Sequence, residues 1–370
     1  MKKSLWMAAF VAAALSSCTQ NEEIGNAVDS NNGAIKFSTY VGQNTRAAIT
    51  DLPALKGEGA GFYVLAYSTG KDGWDVEAET DPTLNFMLND QVSWDETAET
   101  PVWTYDNIKY WPNVVDGVAD NYGKVSFFAY APVEITDVLA AAPATGAGFP
   151  TLTYTCPTDP TAQKDVVTAQ ALDQKKNSNS GKVDLVFNHI LSKIGFSAKL
   201  DADYDNATIT VTGLKVLYDA SMDKTNTYRM DKETWGTATE DDKFTAGDKG
   251  TVLTGASKTL TWDADDDVAD VIPLLNGTAA TSTNFLMMLP QAVGDKLFKV
   301  ELTYTVLDIE RQKTITNVIT VPLPAIEWVK GKQYTYVLKV SETAVVFDGI
   351  TVSEWVNYDS DGGNTGNVEV

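Results

Sequence analysis

The sequence predicts an all-β fold made of two antiparallel β-sandwiches. Three observations support this: apolar and polar residues alternate with a period of two, long helical periodicity is scarce, and clusters of Asp, Asn, Gly and Thr separate the alternating runs. The runs are rich in Thr, Val and Tyr, which suit pleated, half-buried surfaces. Many short strands joined by such turns are typical of antiparallel sandwiches.

The predicted strands begin near residue 35. The first places Ile35, Phe37, Thr39 and Val41 on one side, with polar or amphipathic residues between them. Six later runs are apolar or alternate in the same way, at residues 62–67, 124–130, 183–187, 194–200, 298–306 and 334–340. The most polar uninterrupted stretch between apolar runs, residues 173–182, is the predicted domain boundary. It divides the chain into sandwiches at 47–180 and 181–370, although a long hairpin loop would have the same composition.

Composition excludes several classes of protein. The 370 residues include 28 Lys and Arg against 50 Asp and Glu, so the net charge is 28 − 50 = −22, which opposes a nucleic-acid partner and favours solubility. A hydrophobic content of 44% with nine Trp excludes a disordered chain. One histidine and two cysteines exclude a zinc site of several His and Cys ligands and a disulfide framework. We predict no enzymatic activity and no cofactor.

Residues 1–17 are predicted to be a lipoprotein signal peptide. Lys2 and Lys3 precede a short apolar segment, residues 5–15, that cannot span a membrane as a helix. Leu15-Ser16-Ser17-Cys18 resembles the lipobox of bacterial lipoproteins, so Cys18 is the predicted lipidation site, where acyl chains such as palmitate would anchor the protein. The alternative is an ordinary cleavage site with a coincidental cysteine. Cys156 would then be unpaired and is expected to be a small buried hydrophobe.

The residues after Cys18 are polar and acidic. Thr19-Gln20-Asn21-Glu22-Glu23 resembles the export signal that sends some Bacteroidota lipoproteins to the outer face of the outer membrane. A solvated tether would have the same composition. Residues 18–46 are thus predicted to contain a tether followed by the first strand.

Several stretches in a fixed order resemble the fimbrillin family, the outer-membrane pilins and pilus-associated lipoproteins of Bacteroidota. These stretches are Cys18 with its acidic follower, residues 35–48 with Thr45-Arg46-Ala47-Ala48, Tyr110-Trp111-Pro112 followed by 125–132, residues 183–200, residues 288–291, and residues 326–336. The resemblance covers most of the chain after the signal peptide. It implies two transthyretin-like β-sandwiches in tandem.

The resemblance also implies assembly by strand exchange after a trypsin-like, arginine-specific protease removes the N-terminal segment. The matching bond in this sequence is Arg46–Ala47, and its cleavage would leave 370 − 46 = 324 residues. The removed piece would include the strand with Ile35, Phe37 and Val41. The alternative for Arg46 is a solvated arginine in a loop.

Strand exchange is physically reasonable for a sandwich. Removal of one strand opens a hydrophobic groove beside unpaired backbone edges, and a donated strand supplies both hydrogen bonds and side chains. The donor is predicted near the end of the chain, with Ile350, Val352 and Trp355 as candidate inserted side chains. Ile350 and Val352 are in phase for one face, whereas Trp355 needs a bulge. The alternative is that this segment is the last strand of the second sandwich.

Other chemistry is less well supported. Asp263, Asp265 and Asp267 have the spacing of a calcium loop, but position six is Val268 and position twelve is Leu274, so we expect a solvated acidic turn and no metal. Residues 201–205 and 357–369 fail in a similar way. His189 lies in an apolar strand and is expected to be structural. Paired carboxylates could serve a glycosidase, but no pair is distinguished among 50 acidic residues.

The sequence therefore predicts a non-enzymatic surface lipoprotein, the precursor of a fimbrial subunit at the outer membrane. Its predicted partners are other fimbrial subunits, the outer membrane through the lipid, an arginine-specific protease, and a host glycan or protein ligand. One alternative is a tip, anchor or accessory adhesin of the same apparatus. A second is a monomeric glycan-binding lipoprotein, and a third is a hydrolase.

Overall fold

The computed structural model describes residues 33–41, 53–56, 60–79, 82–119, 121–132, 137–275 and 285–355. All of these lie in one compact unit that spans residues 33–370. The predicted signal peptide, Cys18, Arg46, Ala47 and the tail 356–370 lie outside the described residues.

β-Strands make up most of the regular secondary structure of the described chain, so the predicted all-β class is confirmed. Its helical parts are a single-turn α-helix, α1 (Trp74–Glu77), and the 3-10 turns Pro53–Lys56, Pro160–Ala162, Ser178–Gly181 and Glu240–Asp242. No helix among the described residues is long and apolar enough to cross a membrane. In chain order the strands are β1 (Lys36–Val41), β2 (Phe62–Gly70), β3 (Thr83–Leu84), β4 (Met87–Asp95), β5 (Val102–Thr104), β6 (Lys124–Ala131), β7 (Leu139–Ala142), β8 (Gly146–Ala147), β9 (Thr151–Thr155), β10 (Val167–Gln174), β11 (Lys182–His189), β12 (Ser192–Leu200), β13 (Ala207–Leu217), β14 (Thr225–Arg229), β15 (Thr234–Trp235), β16 (Lys249–Thr259), β17 (Trp262–Asp263), β18 (Val268–Ala269), β19 (Ile272–Pro273), β20 (Leu286–Met288), β21 (Ala292–Val293), β22 (Lys299–Asp308), β23 (Lys313–Pro322), β24 (Ile326–Glu327), β25 (Lys332–Val340) and β26 (Val345–Glu354).

A seven-stranded sheet forms the first half of the fold. Its strand order is β1-β11-β10-β6-β2-β4-β5, and β1 also contacts β5, so the sheet curls until its two end strands meet. The inner face encloses a core rich in aromatic residues. Its members include Ile35, Phe37, Phe62, Val64, Trp103, Tyr105, Trp111, Phe127, Val183, Leu185 and Phe187.

The central strands of this sheet are buried on both faces. Phe127 belongs to the inner core, whereas its neighbour Phe128 belongs to a second, larger core on the other face. This explains why residues 124–130 read as a continuous apolar run, because a strand covered on both faces has no polar side.

The larger core also packs between the sheets of the second half. These sheets have the orders β19-β12-β25-β26, with β20 beside β12, and β16-β13-β22-β23. The predicted alternation is confirmed in β22, where Val300, Leu302, Tyr304 and Val306 are buried, and it recurs in β25.

Two strand pairs correct the expectation of an entirely antiparallel fold. β1 runs parallel to β11, and β12 runs parallel to β25. Alternation places side chains on faces but is the same in both chain directions, so the sequence could not distinguish these pairs from antiparallel ones.

Residues 173–182 connect two strands of one sheet. β10 and β11 are antiparallel neighbours, and the segment between them contains the 3-10 turn Ser178–Gly181, where Asn179 and Ser180 have φ of 42° and 55°. A further sheet, β15-β14-β9-β7, also contains strands from both sides of residue 180. The division into 47–180 and 181–370 stays a prediction, and the pairing assigns Lys182–His189 to the first sheet.

Candidate functional site

The predicted removable strand, β1, is the strand that completes the curled sheet. On one side its backbone pairs with β11 in a register that joins Lys36 to Lys182 and Val41 to Phe187. On the other side its start is held by the segment 105–111. We use the word seam for the site between β11 and segment 105–111 that residues 33–41 fill.

Backbone hydrogen bonds tie the start of β1 to the second side of the seam. The Ile35 N–H donates to the Lys109 carbonyl at 2.9 Å, and the Trp111 N–H donates to the Gly33 carbonyl at 3.0 Å. Ala34 and Tyr110 form an isolated antiparallel bridge between these bonds. The entry to β1 is therefore paired on both sides, as in the interior of a sheet.

The Tyr105 hydroxyl adds a buried side-chain contact at the same place. It donates to the Ile35 carbonyl at 3.1 Å and accepts the Lys109 N–H at 3.2 Å. Burial raises the pKa of Tyr105, so the hydroxyl keeps the proton that it donates. One phenol thus joins β1 to the segment that faces it.

The inward face of β1 is the face predicted from the sequence. Ile35, Phe37 and Thr39 are 2%, 5% and 5% exposed. The Phe37 ring lies edge-on to three other rings, those of Phe62, Tyr105 and Phe127, with centroids 5.7–5.9 Å apart. Edge-to-face pairs add attraction beyond the area that they bury. Phe37 is therefore the central inward anchor of β1.

The outward face of β1 is also bound to β11. The Ser38 hydroxyl donates to the Asp184 carboxylate, and the Asn179 side chain donates to the same carboxylate at 2.6 Å. β1 is thus a well-defined element of the fold rather than a loosely attached tail. Its loss would expose the edge of β11, the backbone of segment 105–111 and the pocket around Phe37.

Two of the predicted donor residues, Ile350 and Val352, lie on β26, the outer strand of its sheet. β26 pairs with β25, with Ile350 opposite Tyr336 and Val352 opposite Tyr334. The register shifts at Asp348, which is the extra residue of a β-bulge. Ile350 is half-buried, and Val352 is 50% exposed although it shares the inward phase. Among the described residues this segment is therefore the last strand of the second half, the alternative that the sequence left open.

Trp355 lies just beyond the paired part of β26 and is 7% exposed. Its ring stacks on His189 at a centroid distance of 3.9 Å. The bulge at Asp348 comes before Ile350, so it does not bring Trp355 into phase with Val352. The backbone N–H of Trp355 instead donates to the Gly331 carbonyl at 2.9 Å, and the indole fills a site of its own.

That site contains His189 and two buried polar residues that the sequence analysis missed, Asp165 and Lys193. His189 Nδ1 lies 2.9 Å from an Asp165 carboxylate oxygen, with side chains 3% and 0% exposed. Lys193 Nζ lies 4.2 Å from the Phe285 ring centroid and 5.6 Å from that of Trp355. The expectation of a structural histidine fits this arrangement, since Trp355 covers one face of the imidazole. The single histidine was the available signal, but nothing in the sequence identified Asp165 as its partner.

Cys156 is completely buried, as predicted for a small hydrophobe. Burial raises the pKa of its thiol well above the usual range. Its Sγ lies 3.5 Å from the Met287 carbonyl oxygen and accepts from Gln163 Nε2 at 3.3 Å.

The acidic loop at residues 263–267 forms a local turn. The Asp263 carboxylate accepts the Asp265 N–H at 2.9 Å. Among the residues that the structure describes, no group of three or more His, Cys, Asp or Glu side chains is arranged to hold a metal ion.

Comparison with known proteins gives one consistent result. The model of the Fimbrillin-like family matches residues 45–355. The chain is 31% identical over 379 aligned residues to Fimbrium subunit Fim1C of Phocaeicola vulgatus, covering 93% of each chain. Among solved structures, it is similar to a fimbrial protein from Bacteroides vulgatus, with 25% identity and a TM-score of 0.69 over 88% of this chain and 100% of that chain. The chain therefore belongs to the fimbrillin-like family.

Proposed function

We propose that this protein is a non-enzymatic structural subunit of a cell-surface fimbria and that it assembles by β-strand exchange at the seam. The observation that carries the proposal is that β1 completes the curled sheet from one end of the chain. It is bound on both sides at its entry and anchored by Phe37 in an aromatic pocket. The match to a relative named as a fimbrium subunit supports the fimbrial role.

The proposed sequence of events begins with a lipoprotein precursor anchored through Cys18. An arginine-specific protease hydrolyses the Arg46–Ala47 bond, which separates β1 and the anchor covalently from the rest of the chain. Before cleavage, the covalent link keeps β1 at a high effective concentration at the seam, so an incoming strand is outcompeted. After cleavage that advantage is lost, and a strand from a second subunit takes the place of β1.

The seam offers an incoming strand both kinds of interaction that strand addition uses. The edge of β11 and the backbone groups of residues 109–111 supply hydrogen bonds, and the pockets of Ile35 and Phe37 receive alternate side chains. Leaving this groove empty would expose apolar surface and unpaired backbone. A cleaved subunit is therefore expected to associate.

The donor remains proposed near the end of the chain, with Ile350, Val352 and Trp355 as its inserted side chains. β26 is suited to donation because it is the outer strand of its sheet and its apolar residues are poorly buried there. Val345 and Trp355 are the exceptions, because both are buried, and Trp355 lies beside His189.

The experiment compares three forms of the mature chain treated with an arginine-specific protease: wild type, Arg46→Gln and Arg311→Gln. The three arginines of the sequence are Arg46, Arg229 and Arg311, and Arg311 lies exposed in the turn between β22 and β23. We expect filaments by electron microscopy from cleaved wild type and from Arg311→Gln, and none from Arg46→Gln. Filaments from uncleaved Arg46→Gln would contradict the proposal.

Truncation tests the donor separately. A chain that ends at Glu342 and is cleaved at Arg46 should bind a complete cleaved subunit through its own open seam but should form no filaments. Continued growth of filaments from the truncated chain alone would eliminate residues 343–355 as the donor. Resistance of the Arg46–Ala47 bond in folded protein would favour an anchor role instead.

A further inference from the structure

Thr39 occupies an unusual position in β1. Its side chain points inward, is 5% exposed, and lies on the same face as the apolar residues Ile35 and Phe37. Its hydroxyl oxygen is buried and has no hydrogen-bond partner among the described residues. A buried hydroxyl without a partner loses its bonds to water and regains nothing in the folded protein.

The neighbours of Thr39 in the β1–β11 pairing are apolar. Its register partner on β11 is Leu185, which is fully buried, and the preceding inward pair is Phe37 with Val183. Within β1, the outward hydroxyl of the neighbouring Ser38 does bond to Asp184, whereas the inward hydroxyl of Thr39 does not find a partner among the described residues. β1 is therefore well bound on its outer face and poorly matched at one inward position.

We propose that Thr39 is a built-in mismatch that makes β1 an exchangeable occupant of the seam, and that the strand replacing it carries no hydroxyl at this position. This inference rests on the strand exchange proposed above. Thr39 weakens the first occupant without deforming the groove, because threonine has the shape of valine. A replacement strand that lacks the hydroxyl avoids the mismatch and is bound more tightly at this position.

In one register, β26 of a second copy has no hydroxyl at the position of Thr39. When Val345-Val346-Phe347 is aligned with Ile35-Lys36-Phe37 in the same chain direction and Asp348 remains the extra residue of its bulge, the apolar Ile350 stands at the position of Thr39. Val345 and Phe347 then meet the pockets of Ile35 and Phe37 with residues of the same kind. Phe347 is only half-buried in its own sheet, whereas Phe37 is 5% exposed at the seam.

The test measures how fast the cleaved N-terminal segment leaves the rest of the chain. The mature protein is cut at Arg46, and separation of the segment is followed by size-exclusion chromatography with mass spectrometry. Thr39→Val replaces the hydroxyl with a methyl group of similar size, and Thr39→Ser keeps the hydroxyl but removes the methyl group. We expect the cleaved segment with Thr39→Val to separate about 5-fold to 100-fold more slowly than the wild-type segment. The segment with Thr39→Ser should separate at the wild-type rate or faster.

Thr69 provides a matched control. It lies on β2 in the same sheet, is 7% exposed, and its hydroxyl also has no partner among the described residues. Thr69→Val removes an equivalent mismatch from a strand that stays in place, so the separation rate should not change. The melting temperature of each uncut variant reports whether it folds, and uncut Thr39→Val should melt above wild type.

The outcomes separate this inference from the proposed function. If wild type forms filaments and Thr39→Val separates as fast as wild type, the inference about Thr39 is wrong and strand exchange stands. If Thr39→Val slows separation but no filaments form, the inference stands and the fimbrial function is wrong. If the wild-type segment never leaves after cleavage, both are wrong.

Discussion

The indole of Trp355 lies flat against the imidazole of His189, with ring centroids 3.9 Å apart and an interplanar angle of 13°. His189 is the last residue of β11, which pairs with β1, and Trp355 directly follows β26. The stack therefore joins the strand that forms one side of the seam to the end of the proposed donor. The imidazole is itself held in place by Asp165, whose carboxylate oxygen lies 2.9 Å from His189 Nδ1.

Trp355→Ala should release the end of β26. A buried tryptophan truncated to alanine costs about 3–5 kcal/mol of unfolding free energy, here through loss of the stack on His189. We expect a lower denaturant midpoint and faster hydrogen exchange of the backbone amides of β26. Val352→Ala is the control, because Val352 on the same segment is 50% exposed and should change both quantities little. Unchanged exchange in Trp355→Ala would mean that the stack does not hold β26.

Tyr105→Phe should weaken the hold on the start of β1. The substitution keeps the ring that contacts Phe37 but leaves the Ile35 carbonyl without this donor and the Lys109 N–H without this acceptor. Loss of such a buried bond costs about 1–3 kcal/mol. The cleaved segment should therefore leave roughly 5-fold to 100-fold faster, measured as the separation rate after cleavage at Arg46.

Tyr110→Phe is the control for this prediction. Tyr110 belongs to the same segment, but it is 56% exposed and bridges β1 through its backbone, which the substitution retains. Its separation rate should match wild type. Equal rates in Tyr105→Phe and wild type would show that the Tyr105 hydroxyl does not restrain β1.

The sequence predicted which residues of β1 face inward, because the period of two determines the face of each side chain. It could not predict the second side of the seam. Segment 105–111 has no alternation, and its role depends on backbone bonds from the N–H groups of Ile35 and Trp111, which any residue type except proline could make. The Tyr110-Trp111-Pro112 motif is identified only by the family resemblance.

Two other features depend on tertiary contacts that a pattern does not encode. The extra residue at Asp348 changes the phase of β26, so Val345 and Phe347 face inward with Ile350 and Val352 although their spacing is odd. The burial of His189 with Asp165 joins positions 24 residues apart that lie at the ends of different local segments. Neither spacing has a distinct sequence signature.

Cys156 should be inert to thiol reagents while the protein is folded. The thiolate is the reactive form, and burial both raises the pKa of this thiol and excludes the reagent. In a Cys18→Ser variant, Cys156 is the remaining cysteine, so modification by a maleimide should proceed no faster than unfolding. The same variant in denaturant should react completely within the mixing time, and rapid labelling of native protein would contradict the buried position.

Asp348 should make the attachment of β26 dependent on pH. Its carboxylate accepts hydrogen bonds from Lys199 on β12 at 2.7 Å and from Lys339 on β25 at 2.6 Å, and these hold its pKa below the ordinary 3.8. A carboxyl group whose pKa is lower in the folded state contributes stability above its unfolded pKa, and that contribution is lost as the pH falls through the folded pKa. Wild type should therefore be more stable than Asp348→Asn at pH 7, and the difference should shrink as the pH falls below 3.8.

Denaturant midpoints measured from pH 7 to pH 2 test this. The exposed Asp241, changed to Asn, should give no comparable difference, and a gap for Asp348→Asn that stays constant with pH would show that the carboxylate's charge contributes nothing.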